Sequence, residues 1–421
     1  MSSFDKVIGY DSVKREIKRL CDVIKNKEKY QSLGVTPPRG LMLYGKPGVG
    51  KTLMATCFIE ESGKKSFICK KNLPKEEFIK HIKDVFEEAK RTAPSIILLD
   101  DLDKFSTEGP RPNQEEYSTI QSCIDDLKDY DVFVLATVNS FLQIPDSLLR
   151  SGRFDLTIEI EKPKGKDAEK IIKHYLSTKK SIADLDTKQL ARILNDRSCA
   201  ELESIINQAG IYAGFENKTT IEFDDILRAS IRLVYEAPET IQNNTPRDDE
   251  IIAYHEAGHA VVAELLEPGS VTIVSVGAHE GLIGGFTSYY RDEEKYWRSI
   301  DSMKNRICCL LGGKCATEIH YGKIDTGCVS DIERAAGIIR RFIAEYGSLG
   351  FEKCSPVPHF DLSDNFKYKQ ECAIVDELSH FYQQVKELLN KNKNFLDKVA
   401  TVLQEKKLIT EKDIKTIKET L

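Results

Sequence analysis

The sequence predicts a multidomain protein: an α/β P-loop domain, a helical lid, and then a mainly α-helical metal-binding domain. Three observations carry this. Residues 1–163 alternate short apolar runs with helical stretches, the pattern of a parallel α/β sheet. Gly45-Lys46-Pro47-Gly48-Val49-Gly50-Lys51-Thr52 is a phosphate-loop string with a strand before it and a helix behind it. His255-Glu256-Ala257-Gly258-His259 sits about 200 residues further on, in an apolar helical stretch.

The elements follow in order. Gly40–Tyr44 reads as a strand feeding the phosphate loop, and 51–58 as the helix behind it. Ser95–Leu99 and 132–137 read as two more buried strands. Residues 164–236 form the lid, because 168–176, 187–194 and 201–213 all carry i, i+3, i+4 apolar spacing. The polar stretch 237–248 is the linker. Near its end Thr245 is placed to cap a helix with Pro246 at N1 and Asp248 at N3. Residues 249–421 are the mainly helical domain, with a strand pair at 271–276 and 285–290. The last fifty residues form Lys- and Glu-rich amphipathic helices.

Composition excludes several classes. Over 421 residues, 41% are hydrophobic and 30% charged, as in an ordinary soluble globular protein. A net charge of -6 argues against a nucleic-acid surface. Eleven cysteines without any Cys-x-x-Cys pair point to reduced thiols in a cytosol-like compartment. No apolar run approaches the roughly 20 residues of a membrane span, and the first residues lack a signal-peptide core. The expectation is a soluble cytoplasmic chain, touching a membrane only through a partner if at all.

In the phosphate loop, Gly45, Gly48 and Gly50 let backbone N–H groups face phosphates at a helix N-terminus. Lys51 would reach the β- and γ-phosphates and Thr52 would ligate Mg²⁺. Ile96-Ile97-Leu98-Leu99-Asp100-Asp101 is a buried strand ending in acid. Asp100 would hold Mg²⁺, Asp101 would activate the attacking water, and Asn139 at the end of the next strand would position it. Two capping acids and a turn asparagine are the bland alternative. Arg150 and Arg153, three apart, have the planar guanidinium that suits a transferring phosphate. Expected on the far side of the fold, they would serve a neighbouring subunit in a ring. Otherwise they are surface salt bridges.

On a helix, His255 and His259 are i and i+4, so both imidazoles can bind one Zn²⁺. Glu256, about 100° round the helix, can take a proton from the attacking water and return it to the leaving amine. Gly258 permits close packing against this site. A catalytic zinc usually takes a third protein ligand. Glu318, Asp331 and, ranked lower, His320 are candidates, and spacing does not choose among them.

These motifs in this order resemble the FtsH family of AAA+ zinc metalloproteases. Further matching strings are Pro37-Pro38-Arg39-Gly40, Phe86-Glu87-Glu88-Ala89-Lys90, Arg150-Ser151-Gly152-Arg153-Phe154-Asp155 and Leu311-Gly312-Gly313. The resemblance covers almost the whole chain. It implies an AAA+ domain, a lid and a helical protease domain assembled as a homo-hexamer that uses ATP to thread polypeptide substrates. It also implies Asp331 as the third zinc ligand, with Glu318 a supporting group, and Ile8 and Gly9 at the nucleotide. Gly285-Phe286-Thr287 resembles the edge strand that pairs with substrate.

Several departures stand out. Family members typically begin with transmembrane helices, whereas this chain starts at the ATPase domain, as a soluble relative or a truncated product would. The family has Glu where Asp101 stands. The substrate-gripping loop matches Asn72-Leu73-Pro74-Lys75-Glu76-Glu77, without an aromatic, and Phe78 is near but out of register. Asp125-Asp126-Leu127-Lys128-Asp129-Tyr130 replaces the usual Asp-Gly-Phe string. The expectation is an ATP-dependent zinc endopeptidase with an intact peptidase site and a slow or weakly gripping motor. The alternatives are a nucleotide-regulated zinc peptidase with an uncoupled motor, and a non-proteolytic remodeller.

Overall fold

A computed structural model describes residues 2–106, 115–179, 182–234, 245–276, 284–290, 299–323, 326–351, 353–354 and 362–421. Most of the expected linker, 237–244, lies outside them. The chain divides into two compact units, Met1–Phe223 and Asp224–Leu421.

The first unit contains α1 (Asp11–Lys25), α2 (Lys27–Gln31), β1 (Gly40–Tyr44), α3 (Lys51–Ser62), β2 (Lys65–Cys69) and α4 (Lys75–Arg91). Next come β3 (Ser95–Leu99), α5 (Glu115–Asp125), β4 (Val132–Val138), β5 (Leu156–Glu159), α6 (Gly165–Ser177), α7 (Thr187–Ile193) and α8 (Cys199–Phe215). The five strands are all parallel, in the order β2-β3-β4-β1-β5. The predicted strands β1, β3 and β4 are the central three. Covered on both faces, they read as continuous apolar runs. β2 and β5 are edge strands with exposed positions, so their patterns are too weak to read.

This order places the site. Because β3, β4 and β1 are neighbours, their carboxyl ends bring Asp100, Asn139 and the phosphate loop to one rim of the sheet. Behind the sheet α4 packs Phe78, Ile82 and Phe86, all buried. Phe78 meets Phe105 edge-on, with ring centroids 4.9 Å apart. It is a core residue and cannot serve as a substrate-gripping aromatic. The loop between β2 and α4 is only residues 70–74.

α6, α7 and α8 fall within 164–236, the stretch expected to form a lid. A capping box between Ser198 and Glu201 starts α8. The Ala200 N–H donates to the Gly48 carbonyl at 3.1 Å, which ties the start of α8 to the phosphate loop.

α9 (Phe223–Val234) spans the division. The second unit continues with α10 (Pro246–Leu266), β6 (Val271–Ser275), β7 (Phe286–Tyr289), α11 (Ile300–Tyr321) and α12 (Val329–Ala344). It ends with α13 (Asp364–Lys391), α14 (Lys393–Lys406), β8 (Leu408–Thr410) and α15 (Glu411–Glu419). The Thr245–Asp248 capping box and Pro246 start α10 as predicted. Every residue from Ala253 to Glu264 is buried, so α10 is a central helix without a polar face over that stretch. It lies against α11 glycine to glycine: a Cβ on Gly258 would fall 2.3 Å from the Gly312 carbonyl oxygen. The antiparallel sheet runs β7-β6-β8, with β7 at its edge. Among the described residues no helix is long and apolar enough to cross a membrane.

Candidate active sites

The phosphate loop opens onto a cavity of about 810 Å³ whose lining includes Ile8, Val49, Lys51, Thr52, Asn139 and His174. The loop cannot be built without glycine. At Gly45 a Cβ would meet the Ile160 carbonyl oxygen at 2.1 Å, and Gly48 adopts φ +77° against Ala200. Lys51 Nζ donates to the Gly45 and Lys46 carbonyls at 2.8 Å each. Burial lowers the Lys51 pKa, and the Asp101 charge opposes that shift. Gly9 takes φ +70° and packs on Asp167.

Asp100 is buried. Its Oδ1 accepts from Thr52 Oγ1 at 3.0 Å and Thr137 Oγ1 at 2.8 Å, and Lys70 Nζ lies 3.0 Å from Oδ2. A hydrogen bond thus holds together the two side chains that the sequence assigns to Mg²⁺. Asp101 has φ 55°. Its Oδ1 accepts from Asn139 Nδ2 at 3.0 Å and its Oδ2 faces Lys104 Nζ at 2.8 Å. Burial raises the Asp101 pKa, but the bonds from Lys104 and Asn139 outweigh it and the net shift is downward. Lys70 and Lys104 escape sequence reading because both are ordinary surface residues until the sheet places them.

The two arginines differ. Arg153 makes a bidentate pair with Asp125, both contacts at 2.9 Å, and also donates to the Ser147 carbonyl. Arg150 is exposed. Neither lines the nucleotide cavity.

In the second unit three atoms converge. His255 Nε2 and His259 Nε2 lie 3.0 Å apart, and Asp331 Oδ2 is 3.3 Å from the first and 3.2 Å from the second. A tetrahedral zinc with ligand bonds near 2.0–2.1 Å has ligand–ligand edges of about 3.3 Å, so the donor set and its spacing fit the ion. The Cys309 carbonyl accepts from His259 Nδ1 at 2.6 Å, which leaves Nε2 as the ligating lone pair. Burial alone would lower the His259 pKa, but Asp331 raises it. Burial raises that of Asp331, yet the hydrogen bonds from His255 and His259 hold it well below the carboxylate range. Asp331 comes from the first turn of α12.

Glu256 is buried beside these ligands, and Thr287 on β7 donates to its Oε2 at 2.7 Å. Sequence reading gives Thr287 no role of its own, since its partner is 31 residues away. Glu318 and His320 point elsewhere. Glu318 accepts from Lys386 at 2.8 Å, from Lys314 at 3.1 Å and from Tyr382, so it braces α11 against α13 and not the histidines. The hydrogen bonds found for Glu318, expected as a supporting group, go to these basic and phenolic partners. His320 stacks on Tyr254, with ring centroids 3.6 Å apart.

Fold and geometry thus define a P-loop ATPase coupled in one chain to a zinc peptidase. Residues 41–162 match the ATPase family associated with various cellular activities (AAA), and residues 242–417 match peptidase family M41. The chain is 30% identical to an ATP-dependent zinc metalloprotease FtsH of Caldicellulosiruptor bescii, over 99% of this chain and 72% of that protein. It is 30% identical to one of Syntrophobacter fumaroxidans, over 98% and 68%. It is 29% identical to FtsH 2 of Petrotoga mobilis, over 99% and 70%. The chain belongs to the FtsH family of ATP-dependent zinc metalloproteases.

Proposed function

We propose that this chain, an ATP-dependent zinc metalloprotease by family, hydrolyses ATP to feed loosely folded or unfolded polypeptides to the peptidase site. The observation that carries the reading is the triangle of His255, His259 and Asp331 beside Glu256. In this reading those three residues hold Zn²⁺, which supplies Lewis-acid charge for the peptide carbonyl. Glu256 takes the proton of the attacking water and gives it to the leaving amine nitrogen. Thr287 keeps one Glu256 oxygen in place while the other works. β7, at the sheet edge, is where a substrate strand would align.

At the nucleotide site the phosphate loop from Gly45 to Thr52 cradles the phosphates, with Ile8 and Gly9 near the base. Asp100 and Thr52 hold Mg²⁺. Asp101, oriented by Asn139, receives the proton of the water that attacks the γ-phosphorus as the bond to ADP breaks. Arg150, exposed and outside the cavity, is the better candidate to reach a neighbouring copy's nucleotide in a homo-hexamer, since Arg153 is already paired with Asp125. The boundaries 1–163, 164–236, 237–248 and 249–421 belong to this proposal, as does a soluble, cytoplasmic setting.

The test is degradation of an intrinsically unstructured protein with Zn²⁺, with and without ATP. Strong ATP dependence is expected. Equal cleavage in both would favour the nucleotide-regulated peptidase with an uncoupled motor.

A further inference from the structure

The nucleotide cavity holds a cation that the phosphate-loop and magnesium motifs leave unexplained. Lys104 ends the short turn Leu102–Lys104 and lines the same cavity as Lys51, Thr52 and Asn139. Its ammonium sits 2.8 Å from Asp101 Oδ2, and its side chain is 64% exposed. An exposed pair of this kind adds little to stability, so folding does not require it. Lys70 holds Asp100 in a similar way but lies outside the cavity lining.

We propose that Lys104 is a second phosphate-binding lysine, supplied within the same chain, that exchanges Asp101 for the terminal phosphate of ATP. A lysine carries three donors on a flexible four-carbon stem, so it can turn between neighbouring anions. The Asp101 carboxylate carries one negative charge, and the terminal phosphate arriving beside it carries more. The exchange adds a charge-assisted bond to that phosphate. It also releases Asp101 Oδ2 toward water while Asn139 still holds Oδ1. ADP offers neither contact, so preference for ATP and release of Asp101 become one event. The inference rests on the reading of Asp101 as the carboxylate next to the terminal phosphate.

The experiment titrates the full chain with ADP and with a non-hydrolysable ATP analogue at saturating Mg²⁺. It compares the unaltered protein with Lys104→Met, Lys104→Arg and Asp101→Asn. Lys104→Met should weaken analogue binding about tenfold, the scale of one hydrogen bond to a charged group, and leave ADP within twofold. Lys104→Arg should restore most of the loss. Equal weakening for both nucleotides, unchanged binding, or tighter analogue binding by Lys104→Met would overturn the proposal. Asp101→Asn reports on the underlying reading separately. If it hydrolyses ATP at the unaltered rate, Asp101 does not activate water, whatever Lys104 does.

Discussion

Gly313→Ala tests whether the zinc site depends on the close approach of α10 and α11. An ideal Cβ at Gly313 would lie 2.6 Å from both Cε1 and Nε2 of His255 and 2.7 Å from His259 Nε2. Ordinary carbon contacts begin at 3.4 Å, so the methyl must push the ligand atoms about 0.8 Å away, a shift on the scale that costs about 10²-fold in catalysis. His259 cannot retreat easily, because its Nδ1 is held on the Cys309 carbonyl. The helices can part only by giving up the close approach of Gly258 to Gly312 and the packing that goes with it. His255 must therefore move. Overpacking of this kind costs about 1–3 kcal/mol, and replacing a helical glycine returns about 1 kcal/mol. Global stability should change little. Zinc affinity should fall about 10–100-fold, as when a ligand's support is lost, and peptide cleavage about 10²-fold. Zinc competition with a chromophoric chelator reads the first, and a quenched peptide substrate the second. ATP turnover is the internal control and should stay within twofold. Native zinc affinity with native cleavage would refute the packing argument.

Glu256→Gln should keep zinc in the chelator assay and lose about 10²–10⁴-fold in cleavage, the range for a positioned general base; retained cleavage would remove Glu256 from the mechanism. Asp101→Glu advances the carboxylate by one carbon–carbon bond, about 1.5 Å, and should raise ATP turnover and degradation of folded substrates. No gain would mean the shorter side chain already reaches the water. Glu318→Gln strands Lys314 and Lys386 and should cost about 1 kcal/mol in denaturant unfolding of the zinc-free protein at neutral pH. Hydrogen bonds from Lys386 and Tyr382, against the effect of burial, bring the Glu318 carboxyl down from 4.5 to about 2. A depressed carboxylate stabilises above its unfolded value, so the difference between variants should shrink as pH falls below 4.5. A difference that stays flat into that range would contradict the assignment.

The sequence is legible wherever the chemistry is local. The i, i+4 histidines of α10 and the glycines of the phosphate loop each lie within eight residues, and the Thr245 cap announces its own helix. The central strands are legible because burial on both faces leaves an unbroken apolar run. The edge strands β2 and β5 and the three-residue β8 carry no such run. The third zinc ligand is of a different kind. Glu318, His320 and Asp331 are all polar residues within 76 positions of His255, and each has a plausible helical role. What separates them is direction. Lys314 stands four residues before Glu318, and that i, i+4 pairing is itself a readable sign that Glu318 has a partner other than zinc. The neighbouring Gly312 and Gly313 are readable too. A helix that drops two side chains in a row does so to let something approach, and here the histidines approach. Together these signs turn α11 into the wall of the site and leave the start of α12 to supply the carboxylate. Thr287 offers no such sign, since it acquires meaning only from an acid that tertiary folding brings within 3 Å. Lys104 stands three residues after Asp101, a local pair that reads as an ordinary surface contact until the fold sets it in the wall of the nucleotide cavity.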